Sequence, residues 1–137
     1  MFWLTVSIIA ARVVIEAVFF AIGASIFSFL NVVIYRLPKR MGFVEGKSMC
    51  PSCKHTLEAK DLIPIISWIS LKGRCRYCGC RISARYTVVE VIGGITAVVS
   101  TLLLGIKWHA LAAFLIVGAL TVAACIIYDS AVKNKGE

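Results

Sequence analysis

The stretch CPSCKHTLEAKDLIPIISWISLKGRCRYC, residues 50–78, decides how this chain is organised, because it carries two Cys-x-x-Cys pairs. The first pair is Cys50 and Cys53, the second is Cys75 and Cys78, and 21 residues separate the pairs. Two such pairs can supply the four thiolates of a tetrahedral structural zinc site. Redox or disulfide pairing and unliganded cysteines are the alternatives, but a thioredoxin-type motif belongs to a βαβ unit that this sequence does not predict. The spacing therefore predicts a closed, zinc-held module without an open position for catalysis.

Three other residues bear on the ligand set. Cys80 extends the second pair to Cys-x-x-Cys-x-Cys, so it could replace Cys78 as a ligand, or it is a spare thiol of the loop. His55 follows the first pair closely, but four cysteines already complete the shell. Cys125 lies deep in an apolar run, where we predict a small buried side chain rather than a ligand.

Long apolar runs surround the module. They cover residues 13–34, 87–106 and 110–128, and each approaches the roughly 20 residues that cross a hydrocarbon core of about 30 Å. Hydrophobic residues make up 60% of the chain, against about half in soluble proteins. We therefore predict an all-α polytopic membrane protein with three transmembrane helices and a zinc-knuckle loop between the first and second.

The runs divide the chain into four segments. Residues 1–34 form the first transmembrane helix, predicted as uncleaved because no basic residue precedes Arg12. Residues 35–86 form the loop with the two Cys-x-x-Cys pairs, residues 87–129 the second and third helices, and residues 130–137 a terminal stub.

The net charge of +8 is concentrated in the loop. Eleven Lys and Arg lie between Tyr35 and Tyr86, against three acids. The positive-inside rule then places the loop and the stub in the cytoplasm, and the N-terminus and the turn at Lys107 outside. Anionic lipid headgroups suit this charge. Nucleic acid is not an expected partner, because no basic, aromatic groove or known motif is present.

Five charged or polar residues interrupt the apolar runs. Arg12 and Glu16 are four residues apart, a spacing that allows an ion pair on one helix face. Asn31 is expected to bond to a neighbouring helix, and Glu90 either snorkels to the interface or faces a shared polar site. Asp129, at the end of the third run, is a functional candidate by default, although a surface acid there would also be ordinary.

The sequence resembles the type IV prepilin peptidases, polytopic aspartyl proteases of the bacterial inner membrane. The resemblance covers residues 23–129 and rests on the segments SFLNVVIYRLP, CPSCKHTL and DLIPIISWISLKGRCRYCGCRISARYTVVE and on the helix end at Asp129. It implies that prepilin or pseudopilin leader peptides are the substrates. The family's first loop carries two Cys-x-x-Cys pairs, which match the four cysteines named above.

The same resemblance implies site residues. Asp129 matches the first of two catalytic aspartates, which together activate water. Gly73 and Arg74 match a Gly-basic pair attributed to N-methylation with S-adenosylmethionine. The family's second aspartate lies in a Gly-x-Gly-Asp motif, whereas this sequence runs DSAVKNKGE after residue 128.

The chain alone is therefore expected not to cleave, unless a second polypeptide supplies the missing aspartate. The alternatives are a stand-alone S-adenosylmethionine-dependent N-methyltransferase and a non-catalytic membrane subunit that binds prepilins.

Overall fold

The computed structural model describes residues 1–40 and 47–134. These residues form four α-helices and contain no β-strand: α1 is Phe2–Arg36, α2 is Ile66–Ser70, α3 is Arg85–Leu104 and α4 is Trp108–Asn134. Helices α1, α3 and α4 are long and apolar enough to cross a membrane. This confirms the predicted all-α fold, with the cysteine segment between the first and second of these long helices.

Helix α1 is longer than the apolar run that predicted it. It has 35 residues, or about 52 Å at a rise of 1.5 Å per residue. The run was counted from residue 13 because Arg12 interrupts the apolar pattern. However, no helix-breaking proline or glycine lies between Phe2 and Arg12, so the helix continues through both segments.

Two interhelical hydrogen bonds fix the antiparallel register of α1 and α3. The Thr101 hydroxyl donates to a Glu16 carboxylate oxygen at 2.8 Å, and Asn31 Nδ2 donates to the Tyr86 carbonyl at 3.0 Å. The two contacts are fifteen residues apart on each helix. Asn31 thus links two helices as predicted, whereas Glu16 bonds to Thr101 and is absent from the ion pairs of the described residues.

Small residues let α1 and α3 approach closely. A side chain on Gly23 would collide with the Gly93 carbonyl oxygen, and its Cβ would lie 2.7 Å from that of Ala97. Small residues at such contacts are the usual means of packing membrane helices. Phe27, fully buried beside this seam, meets Phe114 of α4 edge-on at a centroid distance of 5.5 Å.

Candidate metal centre

The first cysteine knuckle is a tight backbone turn around Cys50. The Cys50 amide donates to the His55 carbonyl at 3.0 Å, and the Lys54 amide donates to the Cys50 carbonyl at 2.9 Å. An isolated bridge between Met49 and Thr56 closes the turn. Lys54 adopts a left-handed conformation with φ of 59°, which lets the chain reverse within so few residues.

The second knuckle repeats this backbone pattern. The Cys75 amide donates to the Cys80 carbonyl at 2.8 Å, and the Gly79 amide donates to the Cys75 carbonyl at 2.9 Å. Arg74 and Arg81 form the closing bridge. Gly79 has a φ of 70° at the place equivalent to Lys54, a conformation that glycine adopts without a Cβ clash.

The two knuckles bring four sulfur atoms together. The Sγ atoms of Cys50, Cys53, Cys75 and Cys78 all lie within 4.8 Å of one another, so the group could hold a metal ion. Cys50 Sγ and Cys78 Sγ are 3.8 Å apart. A regular tetrahedron with Zn–S bonds of about 2.3 Å has S···S edges of about 3.8 Å, so this separation fits zinc. Ligation itself stays a prediction.

The backbone around Cys50 favours its thiolate form. The amide of Cys53 donates to this sulfur and, against the opposing effect of burial, lowers the pKa of Cys50 to about 6, with a further contribution from the Ser52 amide. A lowered thiol pKa assists metal binding because the thiolate is the ligand form.

Cys80 contributes a fifth thiol that lies against Cys50. Their Sγ atoms are 3.4 Å apart, closer than an edge of the zinc tetrahedron, and Cys80 is not in the group of four. The Ser52 hydroxyl lowers the pKa of Cys80, but hydrogen bonds with Cys50 and Cys78 outweigh it and raise the value to about 11.

Residue His55 stacks on Tyr77 at a centroid distance of 3.6 Å. It joins the two knuckles through its ring and is also outside the group of four.

A buried carboxylate that the sequence did not single out supports the second knuckle. The Asp61 side chain is only 3% exposed and accepts hydrogen bonds from Arg76 Nε at 2.7 Å and from the Tyr77 hydroxyl at 3.0 Å. The Arg76 guanidinium holds the pKa of Asp61 below its usual range. Burial, followed by the hydrogen bond to Asp61, raises the pKa of Tyr77 to about 12. An acid within the otherwise apolar DLIPII segment was the signal that could have revealed this role.

Gly73 is required by packing. It has a φ of +66°, and a Cβ at this position would lie 2.8 Å from the Trp68 ring. The Trp68 indole donates to the Ile82 carbonyl at 3.2 Å, and the Ile82 amide donates to the Gly73 carbonyl at 2.8 Å. Arg74 is exposed. These contacts account for the glycine without a cofactor, and the cofactor-binding role of the Gly73-Arg74 pair stays a prediction.

Asp129 and Glu90 occupy different positions on the module side of the helices. The Asp129 carboxylate forms an ion pair with Arg85, which joins α4 to the start of α3. Glu90 is buried, and one of its oxygens accepts a hydrogen bond from the Ile65 amide at 2.8 Å. Glu90 therefore fastens the loop backbone to α3, while the catalytic role of Asp129 stays a prediction.

Comparison with known proteins gives one family and a consistent set of relatives. Residues 21–104 match the family described as bacterial peptidase A24 N-terminal domain. A prepilin leader peptidase/N-methyltransferase of Myxococcus xanthus is 46% identical over 76 residues, which cover 56% of this chain and 23% of that protein. Its counterpart in Aeromonas salmonicida strain A449 is 36% identical over 135 residues, covering 80% of this chain and 46% of the relative.

An Escherichia coli type 4 prepilin-like proteins leader peptide-processing enzyme is 37% identical over 123 residues, covering 77% of this chain and 45% of that enzyme. The chain thus spans less than half the length of these relatives. No solved structure matches it.

Proposed function

This chain belongs to the bacterial peptidase A24 N-terminal domain family, and on that premise we propose that it is the metal-module portion of a prepilin leader peptidase/N-methyltransferase. The observation that carries the proposal is the four-thiol cluster placed between the first two membrane-length helices, within the matched residues 21–104. The substrates would be the leader peptides of prepilins or pseudopilins.

Zinc is the metal that this cluster suits. Cys50, Cys53, Cys75 and Cys78 would hold it, and four thiolates leave no open coordination position. Bound zinc would supply folding free energy rather than a reacting water. Its role is then to hold the two knuckles as one surface beside the membrane.

Asp129 is the proposed catalytic acid of this portion. Arg85 pairs with its carboxylate and joins it to the start of α3. An aspartyl protease needs two carboxyl groups that share a proton and activate water. The sequence contains no Gly-x-Gly-Asp motif, so we propose that the second carboxylate comes from residues outside this sequence, either of the same or of a second polypeptide.

The proposed location is the bacterial inner membrane. The excess of basic residues in segment 35–86 supports a cytoplasmic position for the module and the end of α4, with the N-terminus outside. In this orientation Asp129 and the metal module lie on the side of the membrane where prepilins are made, and anionic lipids can meet the basic loop.

A stand-alone N-methyltransferase is the second candidate. The names of the relatives support a link to N-methylation. The packing of Gly73 against Trp68 already explains that glycine, so Gly73 and Arg74 add little independent support for an S-adenosylmethionine site. A non-catalytic subunit that binds prepilins is the third candidate.

Mass spectrometry of a prepilin separates these candidates. The prepilin is incubated with S-adenosylmethionine and membranes that contain this chain, alone or together with the part of the Aeromonas relative that the chain does not cover. We expect leader removal only in the combined sample. Asp129→Asn should abolish it, whereas the neighbouring Ser130→Ala should not.

Undiminished cleavage by Asp129→Asn would overturn the catalytic assignment. Methylation of a pre-cleaved pilin by this chain alone would establish the second candidate. Binding of prepilin without either reaction would establish the third.

A further inference from the structure

Helices α1 and α3 provide a depth scale for the membrane. Helix α3 has 20 residues, or about 30 Å, the thickness of the hydrocarbon core. We therefore take its first residue, Arg85, as one approximate boundary of that core and Leu104 as the other. Because Asn31 bonds to Tyr86 and Glu16 to Thr101, each depth along α3 corresponds to a known position on α1.

The loop segment before α2 lies on the hydrocarbon side of the boundary at Arg85. The Ile65 amide bonds to a Glu90 carboxylate oxygen at 2.8 Å. The Glu90 Cα is five residues into α3, or about 7.5 Å from Arg85 along the helix, and its side chain tilts back toward the boundary because helix side chains point toward the N-terminus. Leu62 and Pro64 also line a shallow groove with Ser48, with Val32 at the level of the boundary, and with two deeper residues of α1, Ser25 and Phe29.

Those two α1 residues precede Asn31, so they lie deeper than the Tyr86 level. Ser25 is six residues before Asn31, which corresponds to about 9 Å. The hydrogen bond to Glu90 and the groove shared with α1 together support a position of this segment at the boundary and within the outer third of the hydrocarbon core.

Apart from Ser70, the exposed side chains of this segment are apolar. Ile63, Ile66 and Ile69 are 45%, 64% and 62% exposed, and their spacing of three places them on one side of the turn and of α2. Lys72 and Arg74 follow and are exposed. This order, apolar residues at depth and then basic residues, matches acyl chains followed by anionic headgroups.

Most backbone amides of this segment are bonded within the protein. Irregular backbone at membrane depth is tolerated only where it is covered by protein or meets water, which restricts the segment to the shallow part of the leaflet. The amide of Ile65 is bonded to Glu90, that of Ile66 to the Pro64 carbonyl and that of Ser67 to the Ile63 carbonyl. The Ser70 hydroxyl donates to the Ser67 carbonyl. Ile65 keeps its position despite a φ of 63°, which is strained for a β-branched residue.

We propose that residues 62–71 form a re-entrant element that enters the lipid leaflet on the module side. In this arrangement Ile63, Ile66 and Ile69 contact phospholipid acyl chains, and Lys72 and Arg74 meet the headgroups. Lipid is the occupant because the isoleucines continue the apolar surface of α1 and α3 at the same depth. Glu90 is the residue that holds the element in place.

Site-specific photo-crosslinking tests the insertion. The photoreactive residue p-benzoylphenylalanine replaces Ile66 in the full chain, reconstituted in vesicles of phosphatidylethanolamine and phosphatidylglycerol. The same replacement at Ile95, a 51% exposed position of α3, is the lipid-facing control. Lys60, which pairs with Glu58 in solvent, is the water-facing control.

We expect phospholipid adducts, identified by mass, at positions 66 and 95. We expect no such adduct at position 60. Absence of a lipid adduct at position 66 while position 95 gives one would overturn the proposal, as would adducts at 66 to polypeptide alone.

A second pair of variants tests the anchor. Glu90→Ala removes the acceptor of the Ile65 amide and should lose the lipid adduct at position 66, whereas Glu90→Gln keeps an oxygen acceptor and should retain it. Retained zinc would show that the module is still folded in both. An unchanged adduct in Glu90→Ala would overturn the role of Glu90. Neither experiment uses a prepilin, so their outcome is independent of the proposed enzymatic function.

Discussion

The two cysteine knuckles share one backbone design but differ in what supports them. The second is braced by the buried Asp61, which binds Arg76 and Tyr77, and by Gly73, which packs under Trp68. Among the described residues, the first knuckle meets this framework through its sulfurs, through the Ser52 hydroxyl beside Cys80, and through the tilted ring contact of His55 with Tyr77. The difference indicates that one half of the candidate metal site is preorganised by protein contacts, while the other half would depend more on a bound metal.

Removal of the metal should give the largest effect and expose this difference. Structural zinc contributes apparent free energies of about 10–16 kcal/mol in small zinc peptides. After chelation, we expect hydrogen exchange to rise strongly in residues 48–57 and less in residues 74–82.

Cys50→Ser and Cys75→Ser should both lose zinc and the protease resistance of the loop. Equal exchange in the two knuckles would contradict the proposed asymmetry, and unchanged protease resistance would contradict a structural metal.

Two glycines of the second knuckle region offer a matched pair. Gly73→Ala puts a Cβ at positive φ and against Trp68, so we expect a loss of about 3 kcal/mol from the left-handed conformation and overpacking together. Gly79→Ala has a similar φ but nothing within 4 Å of the new Cβ, and should lose only about 1 kcal/mol. Denaturant unfolding followed by Trp fluorescence measures both, and equal losses would show that packing against Trp68 is unimportant.

The Asp61 brace should give a smaller loss. Asp61→Ala leaves Arg76 and Tyr77 without their acceptor, and hydrogen bonds to charged groups contribute about 1.5–3 kcal/mol each. Because Arg76 is 40% exposed and can turn to water, we expect a net loss of about 2 kcal/mol. Lys60→Ala, which removes a solvent-exposed ion pair, is the control and should change stability by less than about 1 kcal/mol. A loss of stability no greater than that of Lys60→Ala would show that Asp61 does not support the second knuckle.

Cys80→Ser should give the smallest effect. Its sulfur touches Cys50 but lies outside the group of four, so we expect one zinc per chain to be retained, as measured by elemental analysis. Cys78→Ser should lose the metal. The reverse result would make Cys80 the fourth ligand and change the geometry of the second knuckle.

Local patterns predicted the fold because they depend on spacing alone. Apolar runs identified the three long helices, and the two Cys-x-x-Cys pairs identified the thiol cluster. The sequence also placed Asn31 at a helix contact, since an amide within an apolar helix has few other partners.

The partners of charged groups depended on tertiary packing. Glu16 bonds to Thr101, 85 residues away in sequence, where the spacing rule had suggested Arg12. Asp61 and Glu90 owe their roles to the way the loop folds back on itself and on α3. A local pattern can mark such an acid as unusual, but it does not give the acid's partner, and short-range rules therefore missed these contacts.

The glycine seam between α1 and α3 has a consequence for the metal site. The 48 residues between α1 and α3 form a closed loop whose ends are clamped by the membrane helices. Closing a flexible loop of this length costs about 3 kcal/mol in chain entropy. Packing at the seam already holds the two ends of the loop together and so offsets part of this entropy cost. The two knuckles would therefore face a metal ion at a raised effective concentration. Widening the seam at Gly23, which lies outside the cysteine knuckles, would then loosen the hold on zinc.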